Sequence, residues 1–126
     1  MIAGQAFPIQ SNDEILKIKS PQSRLSGPYV VVIKNVNKRW AIVALRWDNN
    51  RNGLGIRWFH GQAGNPFSRQ STWLIIPEEL QEGVINLLQS DTNKNALRKF
   101  LNDNNSEGYL ELQQQFVPEQ LNKQKI

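Results

Sequence analysis

Four short runs rich in valine, isoleucine and tryptophan lie between residues 29 and 76, and turn-forming residues separate each run from the next. Branched and aromatic side chains favour extended backbone, and runs of this length bounded by Asn, Gly and Pro are typical of β-strands. Short turns join the first three runs, and a longer connection at 60–70 precedes the fourth. The sequence therefore predicts a four-stranded antiparallel meander with strands near 29–36, 39–47, 54–59 and 71–76.

The spacing of apolar residues changes from strand-like to helical immediately after Pro77. Leu80, Val84, Leu87 and Leu88 recur at intervals that place them on one side of a helix. Proline suits the first helical position because its missing N–H has no partner there, and the two glutamates that follow suit the positive end of the helix dipole. A helix is therefore predicted to begin at Pro77, directly after the fourth strand.

Gly83 lies inside this predicted helix, where glycine costs about 1 kcal/mol relative to alanine. It is either a tolerated glycine or a point at which another backbone approaches closely.

A second helical pattern follows the first. It contains Ala96, Leu97, Phe100 and Leu101, with possible N-terminal caps at 90–92 and an end at 102–105.

The chain has 126 residues, which is enough for one domain with one modest core. We expect an α+β fold, a four-stranded antiparallel meander followed by a helix (ββββα), with a second helix toward the C-terminus. Residues 29–103 are expected to form this domain. Residues 1–28 are expected to be an irregular segment with a short strand at 15–19, and residues 104–126 a polar C-terminal extension.

Basic charge is concentrated on the same segment as the strands. Residues 29–77 carry seven of the fifteen Lys and Arg residues and one acid, a net charge of +6, whereas residues 78–126 carry a net charge of −3. All four tryptophans, Trp40, Trp47, Trp58 and Trp73, also lie on this segment. Cations bind phosphates while aromatic faces stack on unpaired bases, so this pairing indicates single-stranded DNA or RNA as a partner.

Alternate side chains of a strand point to opposite sides of a sheet, which predicts which residues share a face. In the second run, the mixed set Trp40, Ile42, Ala44 and Arg46 is expected on the open face. In the third run, Arg57 and Phe59 are expected to point outward. The candidate nucleic-acid contacts are Lys34, Lys38, Arg39, Trp40, Arg46, Arg51, Arg57, Phe59 and Arg69, which would form a stacking platform with a cationic rim.

The same residues also have structural explanations. A small sheet needs aromatic residues for its core, and Trp47, Trp58 and Trp73 suit a core or a dimer interface as well as base stacking. Arginines on strands also shield sheet edges or cover apolar surface with their stems. The alternative function is therefore a protein-interaction module that uses exposed aromatic and Arg residues of the sheet.

Several stretches resemble the single-stranded DNA-binding fold of the transcriptional coactivator positive cofactor four and the related Whirly proteins. They are Tyr-Val-Val-Val at 29–32, the run at 40–47, the glycine-bearing third strand and Leu-Ile-Ile-Pro-Glu-Glu-Leu at 74–80. The chain is also similar to a small bacterial family of that fold, over roughly residues 29–89. The resemblance implies a homodimer with helices packed across the two-fold axis, a role in transcription or replication, and nucleic-acid contacts at Trp40, Arg46 and Arg57.

Catalytic readings have little support in the sequence. His60 is the single histidine, cysteine is absent, and Asp48 is the only acid near His60 in sequence. We expect no catalytic residue, no metal site and no cofactor. We also expect a cytoplasmic protein with no membrane contact, because no run of about 18 apolar residues occurs and the first residues lack a signal-peptide pattern.

Overall fold

The computed structural model of the chain describes residues 12–16, 25–47, 51–58, 73–103 and 107–121. Its elements, in chain order, are α1 (Asn12–Leu16), β1 (Leu25–Asn35), β2 (Trp40–Trp47), β3 (Arg51–Trp58), β4 (Leu74–Ile75), a 3₁₀ helix (Glu78–Leu80), α2 (Gln81–Leu87), α3 (Asp91–Asn102), α4 (Gly108–Gln115) and β5 (Glu119–Gln120).

The strands form one mixed sheet in the order β4-β3-β2-β1-β5. Strands β1 to β4 pair antiparallel with their neighbours in chain order, whereas β5 pairs parallel with β1 through Ile33 opposite Glu119. The predicted α+β class, with a sheet followed by helices, is confirmed. The sheet has a fifth strand that the sequence did not predict.

The larger of two cores lies on one face of the sheet, under the helices that follow β4. Strand residues Ile42, Ala44 and Leu54 are at most 3% exposed and belong to this core. Their helical partners, all buried, are Val84, Ile85, Leu88, Ala96, Leu97, Phe100 and Leu112.

A smaller core lies on the opposite face. It contains Ala41, Val43 and Leu45 of β2, together with Ile15 of α1 and Trp73. Both faces of the central strand β2 are therefore buried. A strand buried on both faces reads as an almost continuous apolar run, so the alternation in β2 is too weak to identify an open face.

The open face predicted from β2 is therefore wrong. Ile42 and Ala44 belong to the larger core, and Arg46 is buried beside them. Trp40 is partly buried and packs against the same core. The prediction depends on Trp40 and Arg46 at the two ends of this set, whereas Ile42 and Ala44 between them pack in the larger core.

The helix after β4 begins one residue after Pro77, as a 3₁₀ turn that continues into α2. Its buried residues are Val84, Ile85 and Leu88, whereas Leu80 and Leu87 of the predicted apolar stripe are exposed. A Cβ added to Gly83 would meet no atom within 4 Å, so this glycine faces open space.

The second predicted helix is confirmed as α3. Ser90 is its N-cap residue, and the Ser90 hydroxyl accepts a hydrogen bond from the Asn93 amide nitrogen at 3.1 Å. Ala96, Leu97 and Phe100 are buried, as their spacing predicted.

Residues 107–121 pack against the sheet and α3. Leu112 of α4 and Phe116 are buried in the larger core, and β5 extends the sheet. The side chain of Asn93 donates hydrogen bonds to the Val117 carbonyl and to Glu119, both at 2.7 Å, and accepts one from the Val117 amide. The described residues 107–121, within the range predicted to be a polar extension, therefore contribute side chains to the core and a strand to the sheet.

Two described parts of residues 1–28 have regular secondary structure. Ile15 and Leu16 belong to helix α1 where a strand was expected, and β1 begins at Leu25 within the segment expected to be irregular. Ile15 is 1% exposed and completes the smaller core.

Candidate nucleic-acid interface

The turn between β1 and β2 presents two of the predicted cations. Asn35, at the end of β1, holds the turn by accepting two hydrogen bonds from backbone amides. Its side-chain oxygen accepts from the Lys38 amide at 2.8 Å, and its carbonyl accepts from the Arg39 amide at 2.7 Å. Lys38 is exposed and Arg39 is half-buried. Asn35 itself is buried, so the turn is anchored to the sheet.

Two tryptophans lie side by side where this turn meets the sheet. Trp40, the first residue of β2, is directly opposite Trp58, the last residue of β3. Trp40 is half-buried, whereas Trp58 is 42% exposed. We call Lys38, Arg39, Trp40 and Trp58 the turn patch. It combines a partly exposed indole with two cations within one end of the sheet.

Arg46 does not belong to this patch. It lies near the other end of β2, is 8% exposed, and donates from Nη1 to the side-chain oxygen of Asn52 at 3.0 Å. Asn52 in turn donates to the carbonyls of Phe100 and Asp103, at the end of α3. Arg46 therefore contributes to a buried network between the sheet and a helix, because its guanidinium satisfies a buried amide.

Arg57 and Lys34 lie on the opposite face of the sheet from Arg46. Both are cross-strand neighbours of Ala41, one on each side, and Ala41 belongs to the smaller core. They are 7% and 9% exposed, and burial lowers the pKa of the Arg57 guanidinium. The predicted pairing of Arg46 with Arg57 on one face is wrong, because the ladder places Arg57 opposite Ala41 and Arg46 opposite Asn52.

Another tryptophan and another cation lie at the end of the sheet that is far from the turn patch. Trp47 ends β2, and Arg51, its cross-strand neighbour, begins β3. The seven residue steps from Trp40 to Trp47 correspond to about 23 Å of extended strand. The predicted platform is thus divided between two ends of the sheet. The other predicted contacts, Phe59 and Arg69, lie outside the described residues.

Two of the tryptophans that suit a core by sequence differ in exposure. Trp73 is 2% exposed, which agrees with a core role, whereas Trp58 is 42% exposed and is the more exposed partner in the turn patch. Its position as the last residue of its strand was the available signal, since strand ends lie at the rim of a sheet.

No group of three His, Cys, Asp or Glu side chains in the described part of the chain is arranged to hold a metal ion. Among the same residues, no helix is both long and apolar enough to cross a bilayer.

Comparison of the chain with models of protein families, with curated proteins and with solved structures found no match.

Proposed function

We propose that this protein is a non-enzymatic, cytoplasmic binder of single-stranded nucleic acid and that the turn patch is its contact surface. The observation that carries the proposal is the position of Trp58, whose indole is 42% exposed next to a turn that bears Lys38 and Arg39. An exposed indole offers a face on which a base can stack. Neighbouring cations offer partners for the phosphates on either side of that base.

The backbone of Arg39 supports a role for its side chain. Arg39 has a φ of 63°, in the left-handed region that favours glycine. This conformation costs a non-glycine residue roughly 1 kcal/mol, and such costs are typical of functional positions. Glycine would adopt this backbone conformation at lower cost, which favours a role for the arginine side chain in binding.

The charge distribution adds a second line of support. Residues 29–77, which contain most of the sheet, carry a net charge of +6, whereas residues 78–126, which contain α2, α3 and α4, carry a net charge of −3. Lys34, Arg46 and Arg57 are buried, so the cations of this segment that a polyanion can reach among the described residues are Lys38, Arg39 and Arg51. Attraction of a polyanion to such cations speeds encounter and weakens steeply with salt.

The test is a titration of labelled single-stranded oligonucleotides, followed by fluorescence anisotropy between about 50 and 200 mM salt. We expect binding that weakens with salt and a slope of log K against log salt that falls by about 0.7 in Lys38→Gln. Lys94→Gln, the same change of charge on α3, is the matched control and should keep the wild-type slope. Absence of binding at low salt would exclude the proposal and leave the protein-interaction module as the leading function.

We also propose that the protein is a homodimer that pairs through α2. Leu80 and Leu87 are 58% and 40% exposed, and Gly83 lies between them with open space at its Cβ position. Two exposed leucines on either side of a glycine form an apolar stripe that lets another helix approach closely. The arrangement agrees with the helix-packed dimer implied by the sequence resemblance.

The dimer is tested by sedimentation equilibrium of Leu87→Glu, which should be monomeric. Leu110→Glu is the matched control, because Leu110 is a similarly exposed leucine on α4 and should leave the dimer intact. Gly83→Ala gives a further test of the dimer. The alanine should stabilise helix α2 by about 1 kcal/mol in a monomer, but it should obstruct close contact between the two helices of a dimer. A wild-type protein that sediments as a monomer would exclude the dimer.

A further inference from the structure

A cavity of about 580 Å³ lies at the end of the sheet opposite the turn patch. Its walls come from the end of β2, the start of β3, the residues around β4 and Pro77, and the end of α3. The volume lies within the range of about 300–1,000 Å³ that is typical of small-molecule sites.

The cavity is held in shape by a buried asparagine. Asn52, one of the lining residues, is 7% exposed and joins β3 to the last turn of α3 by donating to the carbonyls of Phe100 and Asp103. Arg46 donates to the other end of the same amide. Two walls of the cavity are therefore fixed to one another before any ligand binds, which is the usual condition of a binding site.

Several polar groups of the cavity are available to a ligand. In the described part of the chain, the side-chain amides of Gln81 and Asn102 form no hydrogen bond. Arg51 and Glu78 face one another at 3.9 Å, with 60% and 79% of their side chains exposed. An ion pair as long and as exposed as this one contributes little to stability, so both groups can exchange partners at small cost.

One wall of the cavity is aromatic. The indole of Trp47 lies over Gly53, where an added Cβ would approach the indole Nε1 at 3.1 Å and Cδ1 at 3.2 Å. Because Gly53 has no side chain, the indole of Trp47 can lie directly over it. Trp47 is half-buried, packs against the smaller core and is one of the residues that line the cavity.

We infer that this cavity binds a nucleotide. Trp47 supplies a stacking surface for a base, Gln81 and Asn102 supply both donors and acceptors for the base edge, and Arg51 supplies a partner for the phosphate. Each part of a nucleotide thus meets a group of matching chemistry within one preformed cavity. The site goes beyond strand binding at the turn patch, since it would hold a mononucleotide as well as a terminal nucleotide of a strand.

The inference is tested by isothermal titration calorimetry of the full chain. The ligands are adenosine monophosphate, guanosine monophosphate, adenosine and inorganic phosphate. We expect saturable binding of a nucleoside monophosphate. Arg51→Gln should weaken that binding about tenfold, the equivalent of one charge-assisted hydrogen bond, and leave adenosine binding unchanged. Lys94→Gln is the matched control and should leave both affinities unchanged.

A second variant keeps the test independent of folding. Gln81→Ala changes a side chain on the surface of α2 and should weaken adenosine and the monophosphates alike, because both carry the base. If inorganic phosphate binds as tightly as the monophosphates, the cavity is an anion site and the inference is wrong. It is also wrong if no mononucleotide binds the wild-type protein.

Failure of this inference can be distinguished from failure of the proposed function. A protein that binds oligonucleotides through Lys38 but no mononucleotide keeps the turn patch and loses the cavity. A protein that binds mononucleotides through Arg51 but no oligonucleotide does the reverse. Oligonucleotide ends that compete with mononucleotides in the wild-type protein but not in Arg51→Gln would identify the terminal nucleotide as the ligand.

Discussion

At one end of the sheet Trp58 lies exposed beside a turn with two cations, and at the other end Trp47 and Arg51 line a cavity of about 580 Å³. The two ends use the same kinds of side chain. They differ in what lies behind them, because the end of α3 is tied to β3 by Asn52 only at the cavity end. Similar residue types therefore form an open surface at one end, where we propose that a strand binds, and line a cavity at the other end, where we propose that a nucleotide binds.

The largest expected effect is a loss of stability when Asn52, which links β3 to the end of α3, is replaced. Asn52→Ala leaves the Arg46 guanidinium and two helix-end carbonyls without this amide, in a buried site. We expect the free energy of unfolding to fall by about 2–4 kcal/mol, measured by urea denaturation. Asn95→Ala, an exposed asparagine on α3, is the control and should change it by less than about 0.5 kcal/mol. A loss below 1 kcal/mol in Asn52→Ala would show that the network is not what joins the two walls.

The next largest effect should appear at the turn patch. Trp58→Ala removes the exposed indole and should weaken single-stranded oligonucleotide binding by about tenfold or more, since stacking of one base contributes roughly 1–3 kcal/mol. Leu74→Ala, which truncates another exposed apolar residue near the same sheet, should leave binding unchanged. Equal losses in the two variants would contradict a specific role for Trp58.

A smaller and opposite pair of effects is expected at Arg39. Arg39→Gly relieves the left-handed backbone and should stabilise the fold by roughly 1 kcal/mol in thermal or urea denaturation. The same change should weaken oligonucleotide binding and lower its salt slope by about 0.7. Arg39→Lys keeps both the charge and the backbone cost and is the control. A glycine variant that binds as well as the wild type would remove Arg39 from the turn patch.

The smallest expected effect is on the pH dependence of stability, and it concerns the packing of Tyr29. Tyr29 stacks on Tyr109 of α4 at 4.3 Å between ring centroids and meets Phe100 of α3 edge to face at 6.4 Å. Burial is the main cause that raises the pKa of the Tyr29 hydroxyl above 10.0. Above pH 10 the unfolded chain therefore loses this proton before the folded protein does, and stability falls as the pH rises.

Denaturation of Tyr29→Phe across alkaline pH tests this expectation. Phenylalanine has no proton to lose, so the variant should lose less stability than the wild type between about pH 9 and 11. Tyr109→Phe is the control, because Tyr109 is the stacking partner of Tyr29. Parallel stability curves for Tyr29→Phe and the wild type would show that burial of this hydroxyl does not affect folding.

The local structure could largely be predicted from the sequence. Turn residues and branched side chains located β1, β2 and β3, and helical spacing with the Ser90 cap located α3. These elements depend on interactions between residues close in the chain. Leu80 and Leu87 show the limit of this reasoning. Val84 and Leu88 of the predicted stripe are buried, but Leu80 and Leu87 are exposed and Ile85 is buried in their place.

The arrangement of the candidate site could be predicted only in part. Lys38, Arg39 and Trp40 are consecutive in sequence, and the structure keeps them together. Arg46 and Arg57 are separated by the register of β2 with β3 and by the burial of both sheet faces. The second core depends on α1 and Trp73, which lie far from β2 in the chain, so no pattern within β2 could reveal that its other face is covered.

The measurement that tests the account most directly is the NMR spectrum of the four indole N–H groups during titration with a single-stranded oligonucleotide and, separately, with a nucleoside monophosphate. We predict that the oligonucleotide shifts the resonances of Trp58 and Trp40, that the monophosphate shifts that of Trp47, and that the buried Trp73 responds to neither. If no indole moves with the oligonucleotide, or if Trp47 and Trp58 respond alike to both ligands, the division of function between the two ends of the sheet is wrong.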